Sequence, residues 1–99
     1  MVKTILITGA TDGIGKHLAK KLASEGHHVI LHGRNPQKLE LALQEVRAVS
    51  LRGRVSNYLA DFSKLDDIYR FVEEIKRDFS KIDVLFNNAG LYAGKERKA

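Results

Sequence analysis

Short apolar segments alternate along the chain with longer segments in which apolar residues recur every three or four positions. Four short segments are rich in Val, Ile and Leu, as is typical of buried parallel strands: residues 3–7, 28–32, 54–59 and 82–86. The third is the most polar, which favours an edge position in a sheet. The segments between them have the period of amphipathic helices. The pattern therefore predicts strand, helix, strand, helix, strand, helix, strand.

The apolar positions of the three helical segments predict the faces that they bury. They are Ile14, Leu18, Leu22 and Ala23 in the first, Leu39, Ala42, Leu43, Val46 and Val49 in the second, and Leu65, Ile68, Val72, Ile75 and Phe79 in the third. Gly26 is expected to end the first helix. Asn35 and Pro36 suit the cap and first position of the second helix. Ser63 is expected to cap the third, with Asp66 in its first turn.

This alternation predicts an α/β fold in which parallel strands are joined by right-handed crossovers, that is, a doubly wound parallel sheet. We expect the strand order 3-2-1-4, with the reversal between the first and fourth strands. Ligands of such sheets bind beyond the carboxyl ends of the strands at the reversal. Three loops should meet there, at residues 8–15, 32–35 and 87–90.

The turn between the first strand and the first helix contains three glycines within residues 9–15. A strand that turns through glycines into a helix leaves several backbone N–H groups pointing outward, and the helix dipole adds positive charge there. Such a place suits a phosphate or diphosphate, and side chains at the glycine positions would hold the anion away. The alternative is a tight turn that binds no ligand.

This turn reads TGATDGIG, with Thr8, Gly9, Gly13 and Gly15 in the pattern T-G-x-x-x-G-x-G. In this it resembles the cofactor-binding start of the short-chain dehydrogenase/reductase family, whose members have a Rossmann fold. The resemblance implies a nicotinamide dinucleotide as cofactor and partner. It places six residues of the turn at the cofactor: Gly9, Thr11, Asp12, Gly13, Ile14 and Gly15.

The loop after the second strand bears on the choice of dinucleotide. An acid there would bind the ribose 2′-hydroxyl of NAD, but this chain has Gly33, Arg34 and Asn35. An arginine fork pairs well with a 2′-phosphate, so NADP(H) is favoured and NAD(H) is the alternative. Arg34 could instead be an ordinary exposed loop residue. Asp12 opposes the NADP preference, because many NADP-preferring members resemble each other in having a basic residue at that position.

Two further segments match the family. Asp61 follows the third strand, where the resemblance implies an acid beside the adenine ring, with Phe62 next to it; equally, Asp61 could stabilise its own turn through backbone N–H groups. Asn87-Asn88-Ala89-Gly90 is identical to the family's NNAG signature. The resemblance implies that the first asparagine ties the fourth strand to its neighbours, and that Asn88, Ala89 and Gly90 lie beside the adenosine ribose. Without a ligand, the four would be a polar strand end and turn.

Composition narrows the function classes. The chain of 99 residues has no cysteine, which excludes disulfides and thiolate chemistry, and its net charge of +5 comes from scattered basic residues. We therefore expect no nucleic-acid partner, although basic charge alone would give salt-sensitive binding.

No apolar run approaches the roughly 20 residues that span a bilayer, so no membrane partner and a cytoplasmic location are expected. His28 and His32 share a strand face, but a buried strand is a poor metal site, and none is expected.

The resemblance also implies a catalytic asparagine, a serine and a Tyr-x-x-x-Lys pair, and no tyrosine here has a lysine four residues later. We therefore expect no catalytic residue, and expect residues 1–99 to form a partial dinucleotide-binding domain that stops before the catalytic segment. The parent protein would transfer hydride between the cofactor and an alcohol or carbonyl substrate. The alternative is a non-catalytic dinucleotide-binding module or an inactive fragment. Val84, Leu85 and Phe86 should lie on an open sheet edge, which favours a homo-oligomer or strand-edge association.

Overall fold

Strands and helices alternate in the computed structural model, which describes residues 2–88. The strands are β1 (Thr4–Thr8), β2 (His28–Gly33), β3 (Val55–Leu59) and β4 (Val84–Asn87), and the helices are α1 (Gly13–Ser24), α2 (Pro36–Val49) and α3 (Leu65–Asp78). The predicted element order is confirmed, and the strand boundaries move by one or two residues.

The four strands form one parallel sheet in the order β3-β2-β1-β4, so the predicted 3-2-1-4 order is confirmed. Ile5 of β1 pairs with Val29 on one side and Val84 on the other, which places β1 inside the sheet. The polar strand β3 lies at one edge, as its composition predicted, and β4 lies at the other. The reversal between β1 and β4 is the position where such sheets bind ligands.

The sheet is covered on both faces, and successive residues of each strand point to opposite faces. The odd-numbered apolar residues of β1 and β2, such as Ile7 and Leu31, pack with α1 and α2 in the larger cluster. The even-numbered Leu6 and Ile30 pack with α3 in a smaller cluster around Phe71. The core therefore has three layers, with two helices on one side of the sheet and one on the other.

Helix α1 contacts the sheet through small residues rather than through the predicted stripe. Gly15, Ala19 and Ala23, which are spaced four apart, are the buried residues of the helix. Ile14 was expected to be buried but is 68% exposed, because it lies outside this row. Leu18 and Leu22 are only partly buried against the cluster. Small side chains allow the axis of α1 to lie close to the strands, which brings the start of the helix near the strand ends.

Helix α2 begins as predicted: the Asn35 side chain accepts a hydrogen bond from the Lys38 N–H at 3.0 Å, and Pro36 is the first helical residue. Its stripe is buried except at its end, where Val49 is 40% exposed. The predicted cap of α3 is wrong. The cap position is Lys64, which makes no side-chain cap bond. The Ser63 hydroxyl instead donates to the Asp61 carboxylate at 2.7 Å.

The apolar stripe of α3 is only partly covered. Phe71, which the predicted stripe did not include, is its buried residue, whereas Leu65 and Val72 are 61% and 42% exposed. Ile68, Val72 and Ile75 of the stripe line an open groove of about 320 Å³ between α3 and the β1–β4 side of the sheet, and Phe79 packs against the smaller cluster. The groove remains because α3 is the single described helix on this face.

The exposed edge predicted for β4 is present in part. Val84 and Leu85 are 43% and 59% exposed, and Leu85 lines the groove. Phe86 was expected on the open edge but is half-buried and packs against the larger cluster. Its side chain points to the face that α1 and α2 cover, and Leu85 points to the other.

Candidate functional site

The turn after β1 is held by hydrogen bonds from the ends of β2 and β4. The Ala10 N–H donates to the His32 carbonyl at 2.8 Å. The Asn88 side-chain amide donates to the Gly9 carbonyl at 2.9 Å, and the Thr8 hydroxyl donates to the Asn87 side-chain oxygen at 2.9 Å. The loops at residues 8–15 and 32–35 and the described part of the third, Asn87 and Asn88, are thus brought together at the carboxyl edge of the sheet.

The start of α1 is open on its outer side. Gly9 and Gly13 have φ of 63° and 62°, in the left-handed region that favours glycine. A Cβ at Gly13 would meet nothing within 4 Å. The Asp12 side chain makes no cap hydrogen bond, and the first turn contains no acid. The N–H groups that begin the helix are therefore not capped by a side chain, and space lies in front of Gly13. This arrangement fits an anionic group.

Gly15 lies on the inner side of the turn, where packing demands glycine. A Cβ there would lie 2.7 Å from the Gly9 carbonyl oxygen and 2.9 Å from the Asn88 side-chain nitrogen. The role of Gly15 is therefore to let the helix, the turn and the end of β4 meet. Asn88 stabilises the same turn, because its side-chain amide donates to the Gly9 carbonyl.

Thr11 and Gly33 also meet at this edge. A Cβ at Gly33 would lie 2.4 Å from the Thr11 methyl group, so the glycine makes room for the Thr11 side chain. Gly33 is itself buried. Both residues were predicted at the cofactor. Thr11 is the more accessible of the two, and Gly33 is packed beneath its side chain.

The loop between β2 and α2 presents Arg34 to solvent. Arg34 is exposed and forms no ion pair or hydrogen bond with residues 2–88. Asn35 uses its side-chain oxygen to cap α2. Lys38, in the first turn of α2, reaches the Asp12 carboxylate at 3.4 Å, with both side chains mostly exposed. The acid that counted against a bound 2′-phosphate thus has a cation beside it, and sequence reasoning missed this partner.

Asp61 stabilises its own turn, which is one of the two roles considered for it. Its carboxylate accepts from the Ser63 N–H at 3.0 Å and from the Ser63 hydroxyl, and these bonds lower its pKa. The Asp61 N–H donates to Asp67 of α3 at 2.8 Å, a partner that the sequence did not reveal. Phe62 stacks on the His32 ring, with centroids 4.0 Å apart and planes 11° apart, and packs in the smaller cluster.

His32 is the residue of this edge that sequence reasoning missed. The residue is 3% exposed, and its ring forms hydrogen bonds with the turns after both β1 and β3. The signal was a polar residue at the end of an otherwise apolar strand, two residues before Arg34. The sequence raised this histidine as a metal ligand, but no metal site was expected there. In the structure its ring bonds to backbone groups. In the part of the chain described, no three His, Asp or Glu residues are grouped so that they could hold a metal ion.

Two further observations concern other predicted features. Across residues 2–88, no helix is both long and apolar enough to cross a membrane, and the longest have 14 residues. Ala89 and Gly90, predicted beside the ribose, lie outside the described residues.

A parallel sheet in the order β3-β2-β1-β4, with a glycine-rich strand-to-helix turn at its reversal, is a Rossmann-type fold. The family model for short chain dehydrogenases matches residues 3–99. The chain therefore belongs to the short-chain dehydrogenase family, as its motifs indicated. Enzymes of this family are oxidoreductases that use nicotinamide dinucleotides.

Several known proteins are similar over most of this chain. Retinol dehydrogenase 13 from Mus musculus is 37% identical over 89 residues, which are 90% of this chain and 27% of that protein. The 11-beta-hydroxysteroid dehydrogenase-like 3 protein from Arabidopsis thaliana is 38% identical, over 91% of this chain and 29% of that protein. The chain therefore spans less than a third of the length of these two relatives.

Solved structures agree with the fold. A short-chain type dehydrogenase/reductase from Mycobacterium ulcerans superposes with a TM-score of 0.77 at 31% identity, covering 87% of this chain and 32% of that one. An NAD⁺-bound xylitol dehydrogenase superposes with a TM-score of 0.73 at 36% identity, covering 84% and 31%. These likenesses agree with the doubly wound parallel sheet described above.

Proposed function

We propose that residues 1–99 form the NADP(H)-binding part of a short-chain oxidoreductase that transfers hydride between the cofactor and an alcohol or carbonyl substrate. Family membership and the open glycine turn support the cofactor. The substrate class is supported by the names of similar proteins, which include retinol dehydrogenase 13 and a human polyprenol dehydrogenase that is 34% identical. When bound, the nicotinamide supplies the hydride chemistry, and the residues described here bind and orient the dinucleotide.

The diphosphate would lie in front of Gly13, where the backbone N–H groups beginning α1 carry the positive end of the helix dipole. The observation that supports this placement is the space beside Gly13, together with the absence of a capping side chain from Asp12. Ile14, which is 68% exposed, would cover one side of the bound dinucleotide. Because the Ile14 side chain contributes little to the core, it is available to contact the dinucleotide.

The preference for NADP(H) rests on Arg34. This guanidinium is exposed at the carboxyl end of β2 and forms no hydrogen bond or ion pair with residues 2–88, so its donors are available for a 2′-phosphate, although its charge also acts on the Asp61 carboxylate and helps to lower the pKa of that group. Lys38 partly neutralises Asp12 and adds a second cation nearby. No acid occupies positions 33–35 to bind a free 2′-hydroxyl. NAD(H) is the alternative, and the similar xylitol dehydrogenase was solved with NAD⁺.

Exchanging Arg34 for alanine tests this preference. We expect Arg34→Ala to weaken NADP⁺ binding by about tenfold or more and NAD⁺ binding by less than about threefold, because only NADP⁺ carries the 2′-phosphate. Isothermal titration calorimetry measures both affinities. Arg47→Ala is the matched control, since it removes the same charge from the exposed last turn of α2. Equal losses for the two cofactors in Arg34→Ala would exclude the proposed role.

A second candidate is a dinucleotide-binding module without turnover. Residues 1–99 contain no tyrosine with a lysine four residues later, which is the pair that the family resemblance implies for catalysis. This candidate predicts the same binding of NADP⁺ but no oxidation of NADPH in the presence of aldehydes or ketones. Residues 1–99 alone should not oxidise NADPH under either candidate. The absorbance of NADPH is therefore followed over time with a panel of carbonyl compounds and the parent protein that the first candidate requires, and only that candidate predicts turnover.

We further infer that the chain associates through the β4 edge. From Val84 to Phe86, the main-chain groups on the outer side of β4 face no other strand in the described sheet, and the exposed side chains of Val84 and Leu85 lie beside them. Pairing with a second strand would satisfy these groups and bury the two side chains.

A further inference from the structure

His32 connects the glycine turn to the ends of two strands. Its Nδ1 accepts a hydrogen bond from the Gly9 N–H at 3.0 Å, and its Nε2 lies 2.9 Å from the Ala60 carbonyl oxygen. A backbone N–H can only donate and a carbonyl can only accept. The two partners therefore fix the ring as the neutral tautomer, with the proton on Nε2.

The ring and main chain of His32 act on the same turn. The Ala10 N–H donates to the His32 carbonyl at 2.8 Å, next to the Gly9 N–H that donates to the ring. Two successive N–H groups of the turn are thus tied to one residue of β2. Phe62 stacks on the ring, and Phe71 contacts it edge to face at 5.4 Å between centroids. These contacts leave the ring little freedom to rotate.

We propose that His32 is a positioning residue for the dinucleotide turn, and that it holds this turn only while its imidazole is neutral. A protonated ring would direct an Nδ1–H at the Gly9 N–H, so two donors would face each other and their hydrogen bond would be lost. Gly9 begins the segment that carries Gly13 and the start of α1. Its displacement would disturb the N–H groups that face the anion. The inference rests on the proposed function for its ligand.

The surroundings of the ring favour the neutral form. Burial lowers the pKa of His32 below its ordinary value, and the Ala60 carbonyl offsets this in part. Four charged residues lie on or next to the elements that pack around the ring: Arg34 after β2, Asp61 after β3, and Asp67 and Arg70 on α3. Asp67 and Arg70 pair with each other at 3.4 Å, and none of the four bonds to the ring.

The pKa of His32 is lower in the folded chain than in the unfolded chain, so acid should weaken its contribution to the turn. The contribution of His32 is complete above its ordinary pKa of about 6.5 and is lost as pH falls through the lower pKa of the folded chain. The turn should therefore weaken in acid. Arg34 lies two residues after His32, and Asp61 follows the Ala60 that bonds to the ring, but neither side chain contacts the ring, so neither supplies this dependence.

Two substitutions separate the ring's two hydrogen bonds. His32→Asn places an amide oxygen near the position of Nδ1, keeps an acceptor for Gly9 and cannot titrate. His32→Gln reaches towards Ala60 instead and leaves the Gly9 N–H without an acceptor. His28→Asn is the matched control, because His28 lies on the same face of β2 at the far end of the strand, bonded to Ser56 at 2.9 Å.

Calorimetric titration with NADP⁺ at about pH 7.5 should show His32→Gln about tenfold weaker than wild type, and His32→Asn within about threefold. As the pH is lowered from about 7.5 through the depressed pKa of His32, wild type and His28→Asn should lose affinity relative to His32→Asn. The 2′-phosphate's own titration cancels in this ratio. Equal affinities of the Gln and Asn variants, or equal pH slopes of His32→Asn and wild type, would overturn the proposal.

Nuclear magnetic resonance of the ligand-free chain gives a readout that does not depend on the cofactor. The His32 nitrogens should report a proton on Nε2 alone, and the Gly9 amide should exchange with solvent about tenfold faster in His32→Gln than in His32→Asn. A proton on Nδ1, or equal exchange, would refute the positioning role. If wild type fails to bind NADP⁺ while these signals are as expected, the proposed function is wrong but His32 still holds the turn.

Discussion

Adding one methyl group at Gly15 tests the geometry of the turn most directly. In Gly15→Ala the new Cβ would lie 2.7 Å from the Gly9 carbonyl oxygen and 2.9 Å from the Asn88 side-chain nitrogen. Neither partner can simply rotate away, since one is backbone and the other is hydrogen-bonded to that same backbone at 2.9 Å. The substitution must therefore move the turn, the start of α1 or the end of β4.

The magnitude follows from three contributions. Overpacking costs about 1–3 kcal/mol, and losing the Asn88–Gly9 hydrogen bond costs about 0.5–1.5 kcal/mol. Alanine is favoured over glycine inside a helix by about 1 kcal/mol, which offsets part of the cost. We therefore expect Gly15→Ala to lower the free energy of unfolding by about 1–3 kcal/mol. This is less than the total of roughly 5–15 kcal/mol for a chain of this size, so the variant should still fold.

Urea unfolding followed by circular dichroism measures the stability, and calorimetry measures the affinity for NADP⁺. We expect the affinity to fall by about tenfold, because the displaced turn carries the N–H groups that would face the diphosphate. Gly53→Ala is the control: its φ of 70° makes alanine costly, but a Cβ there meets nothing within 4 Å, and it lies in the loop between α2 and β3. It should lose stability and keep its affinity. Unchanged stability and affinity in Gly15→Ala would refute the reasoning.

Three further predictions concern charge and edge packing. Lys38→Ala should weaken NADP⁺ binding by about threefold, because it leaves the Asp12 carboxylate without its cation. The double variant Lys38→Ala/Asp12→Asn should recover the affinity, and calorimetry that shows no recovery would contradict the ion-pair argument. Leu85→Lys should make the chain more monomeric in analytical ultracentrifugation, because it adds charge to an exposed edge; an unchanged mass distribution would count against association through β4. The Thr4 N–H, at 2.8 Å, lowers the pKa of Asp83, so Asp83→Ala should lower the urea midpoint at neutral pH, and its deficit should shrink as pH falls below about 3.9. A deficit independent of pH would exclude this role.

The sequence by itself determined the order of strands and helices, the parallel sheet and the place of the ligand edge. These follow from local signals: apolar runs, helical periods, the glycines of the turn and the Asn35–Pro36 helix start. Each depends on residues close together in the chain, so each can be read without knowing what lies opposite. The family pattern from Thr8 to Gly15 is of the same kind.

Only the tertiary structure decided which side chains meet. The row of small residues on α1, with Ile14 left outside, depends on how closely the helix approaches the sheet. The Lys38–Asp12 pair joins residues 26 apart, and the His32–Gly9 bond joins residues 23 apart. Spacing along the chain cannot show such pairs, because the sheet order and the helix packing determine which distant residues become neighbours. The sequence therefore predicted the edge of the sheet where the loops meet, and the packing of the strand ends against one another determined which residues hold the glycine turn.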